Sequence, residues 1–392
     1  MNQKTKISWL LVAPLLALVM FAFIIPIGYT LLKAVGNPEV TVALPRTTVA
    51  LKEWDGENLP PEEVYRALID DINGAEDGRA YGAMTRRLNF EENGARSILM
   101  KARRVAAELE VPFGTSLSAE VPEFGERGIW QLIKQNSNPY TAQYLLRALD
   151  MRLDSQGALT KVDEDQAIFI DLFKRTFEIS IFVTLFCIIL GYPTAYYIST
   201  LSDRAAGYAM LLVLIPFWTS ILVRTTAWFI LLQREGPINS ALLGAGLVDE
   251  PLTMIFTRFA VYIAMVHVLL PFFILPLHGV MKRLGTEYIK AAASLGAPPW
   301  RQFLSVYLPL TMPGVAAGAV IVFMLSVGFY VTPALVGGLQ DQMVSYYIAF
   351  YANQTINLGM ASSLAVLLLV FTGLVIFLTR ALLPDTDRGI KV

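Results

Sequence analysis

The uncharged run from Ile7 to Leu32 constrains this chain more than any other feature, because a helix of that length crosses a hydrocarbon core of roughly 30 Å. Runs of the same kind recur at Thr176–Leu201, Tyr208–Leu232, Phe259–Met281, Thr311–Leu335 and Ala361–Leu383. Inside a bilayer no water is at hand to satisfy backbone N–H and C=O groups, so each run is predicted to be a helix. A cleaved leader needs a shorter apolar core and a small-x-small cleavage site. The first run is long and broken only by Pro14 and Pro26, so it is read as a retained span.

Composition agrees: 55% of the 392 residues are hydrophobic, 16% are charged and the mean hydropathy is +0.53, too apolar for a soluble protein of this size. Cys187 stands alone inside an apolar run, which excludes a disulfide framework and a thiolate metal site. His267 and His278 are the only histidines, both in one apolar segment, and each is expected to have a satisfied packing or interface role. No catalytic group and no metal site is predicted. No Gly-x-x-x-x-Gly-Lys-Ser/Thr sequence occurs, so the chain has no phosphate cradle of its own.

Residues 37–166 differ in character from the rest. They carry about 22 acids against 15 bases, leaving 16 bases against 10 acids elsewhere, and contain no segment able to span a bilayer. A strongly basic surface for nucleic acid is absent. The stretch is the size of an independent domain. Val40–Leu51 alternates weakly like a strand, whereas Pro61–Ile72, Ala95–Leu109 and Pro139–Leu153 have helical spacing. The expectation is a mixed α/β, mainly helical insert, flanked by a first span in 1–36 and a membrane core in 167–392.

Orientation follows from the short loops. With six alternating spans, Lys4, Lys6, Arg204, Lys282, Arg283, Lys290, Arg301, Arg380, Arg388 and Lys391 fall on one side, and the opposite short loops hold little beyond Arg234. That places both termini in the cytoplasm and the insert outside. Gly314 and Gly318 make a small-xxx-small face for close helix packing. Gly337–Leu358 reads as a surface helix or a re-entrant piece.

Between the fourth and fifth spans lies Lys282–Pro313, KRLGTEYIKAAASLGAPPWRQFLSVYLPLTMP, the one charged, folded-looking stretch on the cytoplasmic side. Thr286 is placed to cap a helix, with Glu287 in its first turn. Ala291, Ala292 and Ala293 give that helix little side-chain bulk. Gly296, between Leu295 and Ala297, is predicted to end it in a left-handed conformation, and Pro298 or Pro299 to open a second helix through Trp300, Phe303, Val306 and Tyr307.

This stretch resembles the EAA loop of ABC importer permeases, with Lys290, Ala291, Ala292, Gly296, Val306, Leu308 and Pro309 at the matching positions. Lys290 stands where the family usually has Glu, and Glu287, one turn earlier, is offered in its place. The resemblance implies a coupling loop, residues 282–309, in which Glu287, Lys290, Ala291, Ala292, Leu295, Gly296, Ala297, Arg301 and Pro309 meet a cytosolic ATPase. The segments GYPTAYYIS, IPFWTSILVRTTAW, GPINSALLGAGLVDEP and LPFFILPLHGVMKRL look like the spermidine and putrescine branch. The whole is therefore identified as an all-α polytopic protein with the six transmembrane helices of a type I importer permease. It implies a bacterial inner-membrane location, two ATPase subunits carrying ATP and Mg, a second permease that is a different sister chain, and a periplasmic binding protein. No cofactor is implied on this chain.

A polyamine path calls for carboxylates and aromatic faces. Trp218, Trp228 and Tyr330 are candidate aromatics, and Glu178 and Asp341 the candidate acids. Arg224 lies well inside the third span and would repel a cation, so it is expected to pair with Glu178. The alternative is that Arg224 faces an anionic or zwitterionic substrate, such as a 4-aminobutyrate-like amino acid, an opine or an organophosphonate.

Overall fold

The computed structural model describes residues 12–75, 78–153, 158–164, 166–285 and 287–382; Lys4, Lys6, Thr286, Arg388 and Lys391 lie outside them. The chain forms two compact units, Met1–Ala167 with Tyr351–Val366, and Ile168–Phe350 with Leu367–Val392.

The first unit begins with α1 (Val12–Leu32), which carries a π-helical turn at Met20–Ile24 just before Pro26. Proline lacks the N–H that would bond back to the preceding turn, and the freed carbonyl lets the helix widen there. The insert is built of α2 (Pro38–Ala43), α3 (Pro45–Glu53), α4 (Glu62–Gly74), α5 (Gly78–Glu91), α6 (Ala95–Val105), α7 (Phe113–Glu120), α8 (Arg127–Gln135) and α9 (Gln143–Arg147). A two-stranded antiparallel hairpin closes it, β1 (Met151–Leu153) pairing with β2 (Leu159–Lys161). It is thus mainly helical with a little strand.

Two local expectations fail. Val40–Leu51 is not a strand: Pro38 and Pro45 each sit in a helical first turn, where the missing N–H costs nothing, and Asp71 reaches in to accept from the Thr47 amide at 2.8 Å and the Thr47 hydroxyl at 2.7 Å. Pro139–Leu153 is helical only at α9 before the chain turns into β1.

The insert has its own core around Trp130, Tyr81, Phe124, Leu68 and Leu88, all buried. The polar ends of its aromatics are satisfied: Tyr65 and Trp130 both donate to the Phe124 carbonyl, at 2.8 and 3.0 Å, and Tyr81 donates to the Leu99 carbonyl at 2.8 Å. Burial holds the Tyr81 phenol above its ordinary pKa. Asn37 ties the insert's two ends together, its amide donating to the Asn136 carbonyl at 3.0 Å while its oxygen accepts from Arg87 Nε at 2.9 Å. Tyr351–Val366 completes the unit: Ser363 Oγ donates to the Ala34 carbonyl at 3.2 Å, and Gly359 lies so close to the Tyr144 ring that no Cβ fits between them.

The second unit holds α10 (Phe169–Thr200), α11 (Asp203–Leu214), α12 (Ile221–Leu231), α13 (Pro237–Gly244), α14 (Arg258–Leu284), α15 (Glu287–Ser294), α16 (Pro299–Gly328), α17 (Val331–Val336), most of α18 (Val344–Asn353) and the later part of α19 (Leu358–Leu382). Among the described residues, five helices are long and apolar enough to cross a membrane, or six if the bent pair Asp203–Trp218 and Ile221–Leu231 counts as one. That pair corrects the straight third span read from the sequence, for its halves meet at 94°. Pro216 starts a 3₁₀ turn, and Ser220 then caps a new helix by accepting the Leu222 amide at 3.3 Å. The fifth span also ends earlier than expected, at Gly328, with α17 a separate helix.

α10, α14 and α16 pack on one another around Ile179, Val183, Cys187, Phe273, Leu277 and Val322. The glycine face works as predicted: a Cβ on Gly318 would sit 2.9 Å from the Phe273 carbonyl oxygen, and one on Gly314 would sit 3.1 Å from the Leu277 Cα.

Candidate coupling surface and substrate-path residues

α15 ends in a Schellman motif. The Ala297 amide donates to the Ala292 carbonyl at 3.1 Å and the Gly296 amide to the Ala293 carbonyl at 2.9 Å, with Gly296 at φ +81°. Only glycine adopts that backbone without strain. Pro298 and Pro299 then start α16, and Gln302 Nε2 donates back to the Ala297 carbonyl at 2.6 Å, pinning the bend from its far side. A π turn at Gln302–Tyr307 precedes Pro309, repeating the arrangement before Pro26.

The bend has an anchored side and a bare side. Ile289 and Phe303 are half-buried on the unit's core, and Phe303 and Tyr307 meet Tyr192 and Tyr196 edge-on, with centroids 5.3–6.1 Å apart. Lys282 pairs with Asp203 at 3.3 Å across the root of the loop, and a cavity of about 420 Å³ behind the bend is lined by Tyr196, Ser199, His278, Ile289 and Tyr307. His278 is bonded to the Ala195 backbone, while its Nδ1 is buried without a hydrogen-bond partner among the described residues. Glu287, Tyr288, Lys290, Ala291, Leu295, Gly296, Trp300, Arg301 and Pro309 are exposed, Leu295 by 89%; Ala292 and Ala297 are half-buried. Leu295, Tyr288 and Trp300, one aliphatic and two aromatic side chains, are thus held out on a small-residue knuckle.

The substrate-path residues fall differently. Glu178 does not pair with Arg224; its Oε1 lies 2.9 Å from Nη1 of Arg258, whose Nε lies 3.0 Å from Asp341 Oδ1. One guanidinium at the start of α14 thus neutralises both acids offered for a cationic solute. Arg258 was missed because it reads as a loop residue at a span's edge, and only tertiary packing brings α10, α14 and the Leu339–Asp341 turn together. Arg224 has no carboxylate partner among the described residues, and its Nε is buried without a hydrogen-bond partner. One turn on, Trp228 Nε1 donates to His267 Nδ1 at 3.2 Å, so His267 is satisfied as expected. Thr225, beside Arg224, meets Thr332 hydroxyl to hydroxyl at 3.1 Å. Trp218, at the α11–α12 break, and Tyr330 are exposed. No group of metal-ligating side chains occurs among the described residues.

A bundle of apolar helices long enough to cross a bilayer, with a bent, exposed loop between two of them, is the architecture of a polytopic membrane protein. The chain belongs to the family of binding-protein-dependent transport system inner membrane components, whose model matches residues 179–388 and leaves out the insert. It is therefore a multi-pass inner-membrane protein. It is 32% identical over 181 residues to the spermidine/putrescine transport system permease protein PotB of Salmonella typhimurium strain LT2, covering 46% of this chain and 63% of that one. To the protein of the same name in Haemophilus influenzae it is 34% identical over 194 residues, covering 50% and 68%. The chain thus spans just under two thirds of the Salmonella relative. Among solved structures, a bacterial ABC transporter involved in the import of the acidic polysaccharide alginate matches with a TM-score of 0.47 and 19% identity over 57% of this chain and 80% of that one.

Proposed function

We propose that this chain is one permease of an ATP-driven, binding-protein-dependent importer. Two cytosolic ATPase subunits carrying ATP and Mg, a sister permease and a periplasmic binding protein complete it. The observation that carries this reading is the bend at Gly296: anchored through Ile289, Phe303 and Gln302, bare at Tyr288, Leu295 and Trp300, it suits a groove in a partner that pushes on it. ATP is hydrolysed on the partner, and this chain converts the push into rocking of its helices. The distribution of Lys and Arg supports cytoplasmic termini and a periplasmic insert.

The solute is an organic amine of the polyamine class, a reading supported by the relatives named for spermidine and putrescine. A second reading is favoured by one observation, the exchange of partners around Arg258. With Glu178 and Asp341 both engaged there and Arg224 without an acid, the free charge inside the membrane is positive, which suits a solute bearing an anionic group beside its amine. Uptake into proteoliposomes holding the complete transporter and its binding protein decides between them. Spermidine or putrescine uptake that survives in Arg224→Gln supports the first reading. Uptake of 4-aminobutyrate that falls at least about tenfold in Arg224→Gln, the effect of one charge-assisted contact, supports the second. ATP-dependent uptake of no solute by the complete assembly would refute both.

A further inference from the structure

We infer that the first unit binds the phosphate headgroup of an anionic phospholipid, in a cleft of about 490 Å³ between the insert and the ends of two spans. The cleft's walls carry Lys33, just past the end of α1, Arg86 of α5 and Arg96 of α6. None of the three has a carboxylate partner among the described residues. Arg87 is a fourth base in the lining but is already committed, to Glu91 at 2.7 Å, to Asn37 at 2.9 Å and over the Tyr144 ring at 4.4 Å. Among the described residues Glu39 is the only acid in the lining, and its buried Oε2 receives no hydrogen bond. The cleft is therefore net positive, with unspent donors.

Its depth selects the ligand. Lys33 directly follows the last residue of α1 and Leu358 opens α19, so the cleft lies where two membrane helices enter apolar surroundings, at headgroup level. Below it, among the described residues α1 is little covered: Tyr29 and Leu32 are 61% and 69% exposed, and Lys33 Nζ stands 5.4 Å over the Tyr29 ring. A phosphodiester in the cleft can lay its acyl chains along that face, burying apolar surface as well as pairing charge. An inorganic anion gains only the second. Phe90, with its ring 6.3 Å from those of Tyr144 and Tyr351, gives the cleft a stiff floor, so the bases are held apart rather than left to collapse.

The test needs no transport, so it stands apart from the reading of function. The full chain, in its purified complex, is incubated with phosphatidylcholine vesicles with or without phosphatidylglycerol, extracted in mild detergent, and its retained lipid counted by native mass spectrometry. The wild type is expected to keep phosphatidylglycerol over phosphatidylcholine. Arg86→Gln with Arg96→Gln should keep at least about tenfold less, two bases having been removed near the surface. Both arginines are exposed, so the fold should survive, which circular dichroism checks. Arg104→Gln, exposed but outside the cleft, should change nothing, and Glu39→Gln should raise retention. Equal retention by the double variant, equal retention of the two lipids, or displacement of the lipid by inorganic phosphate at moderate ionic strength would each overturn the proposal, the last by marking a plain anion site.

Discussion

Arg258 Nε stands 3.0 Å from Oδ1 of Asp341, a carboxylate only 8% exposed whose other oxygen accepts the Gly338 amide at 3.0 Å. The outer limb of the same guanidinium reaches Glu178, which is 48% exposed. The two halves of the bridge are unequal, because water screens the second and hardly reaches the first.

Replacing Arg258 with Ala leaves Asp341 buried without its guanidinium partner. The loss of stability is expected at about 1.5–3 kcal/mol, that of a charged hydrogen bond. Glu178→Gln should lose less than about 1 kcal/mol, since an exposed pair contributes little. Thermal melting of the detergent-solubilised chain measures both. Equal shifts in the two variants would show that the bridge is not organised around Asp341.

Gly318 offers a test in which propensity and packing have opposite signs. Alanine is the better helix former by about 0.8–1 kcal/mol, so Gly318→Ala ought to stabilise α16 if nothing else acted. Its Cβ, however, would lie 2.9 Å from the Phe273 carbonyl oxygen and 2.8 Å from the Phe273 ring, and overpacking of that kind costs about 1–3 kcal/mol. Gly328, at the end of the same helix, has nothing within 4 Å of a built Cβ. Gly318→Ala should melt lower than the wild type and Gly328→Ala should not. The reverse order would mean that α16 and α14 are less closely packed than described.

The spans were legible because a bilayer leaves an apolar run few options, and Gly296 was legible because its conformation depends on its own missing side chain. What was hidden depends on partners distant in sequence. α3 is a helix partly through Asp71, 24 residues beyond Thr47, so local alternation at Val40–Leu51 misled. The break between α11 and α12 falls at Pro216 and the Ser220 cap, inside a run still apolar enough overall to pass for one span, and overall hydropathy carries no information on direction. Charge pairing among three separate elements cannot be read from spacing, and for that reason Glu178 was matched to Arg224 instead of Arg258.

At the coupling bend, Gly296→Val meets no neighbour, since nothing lies within 4 Å of the added Cβ, but forces a β-branched residue to φ +81°. The strain is about 1–2 kcal/mol or more, enough to shift the Schellman turn without unfolding a bundle. Membrane insertion and assembly are expected to persist while ATP hydrolysis continues with uptake reduced at least about tenfold. Gly296→Asn, which tolerates the left-handed region, should retain most of the coupling. If Val supports normal uptake per ATP hydrolysed, the bend does not transmit the stroke.

The insert ties two of the chain's own helices together before it can serve any partner. Within the first unit it joins the end of α1 to the start of α19 through the Asn37 bonds, the Ser363–Ala34 hydrogen bond and the contact of Tyr144 with Gly359. The hypothesis that it also docks the binding protein or braces the sister permease rests on its acid-rich surface and its place between the first two spans. Replacing Val40–Val162 with a short linker tests the pair of roles together. The expected outcome is reduced capture of the binding protein in pull-down and lower uptake, with the family-matched region still inserted and folded by limited proteolysis. Smaller lesions then separate the roles: Gly359→Val should disturb the attachment at Tyr144 and lower the melting temperature, yet leave binding-protein capture intact. Unchanged assembly and uptake in the deletion would reduce the insert to a stabilising ornament of this chain alone.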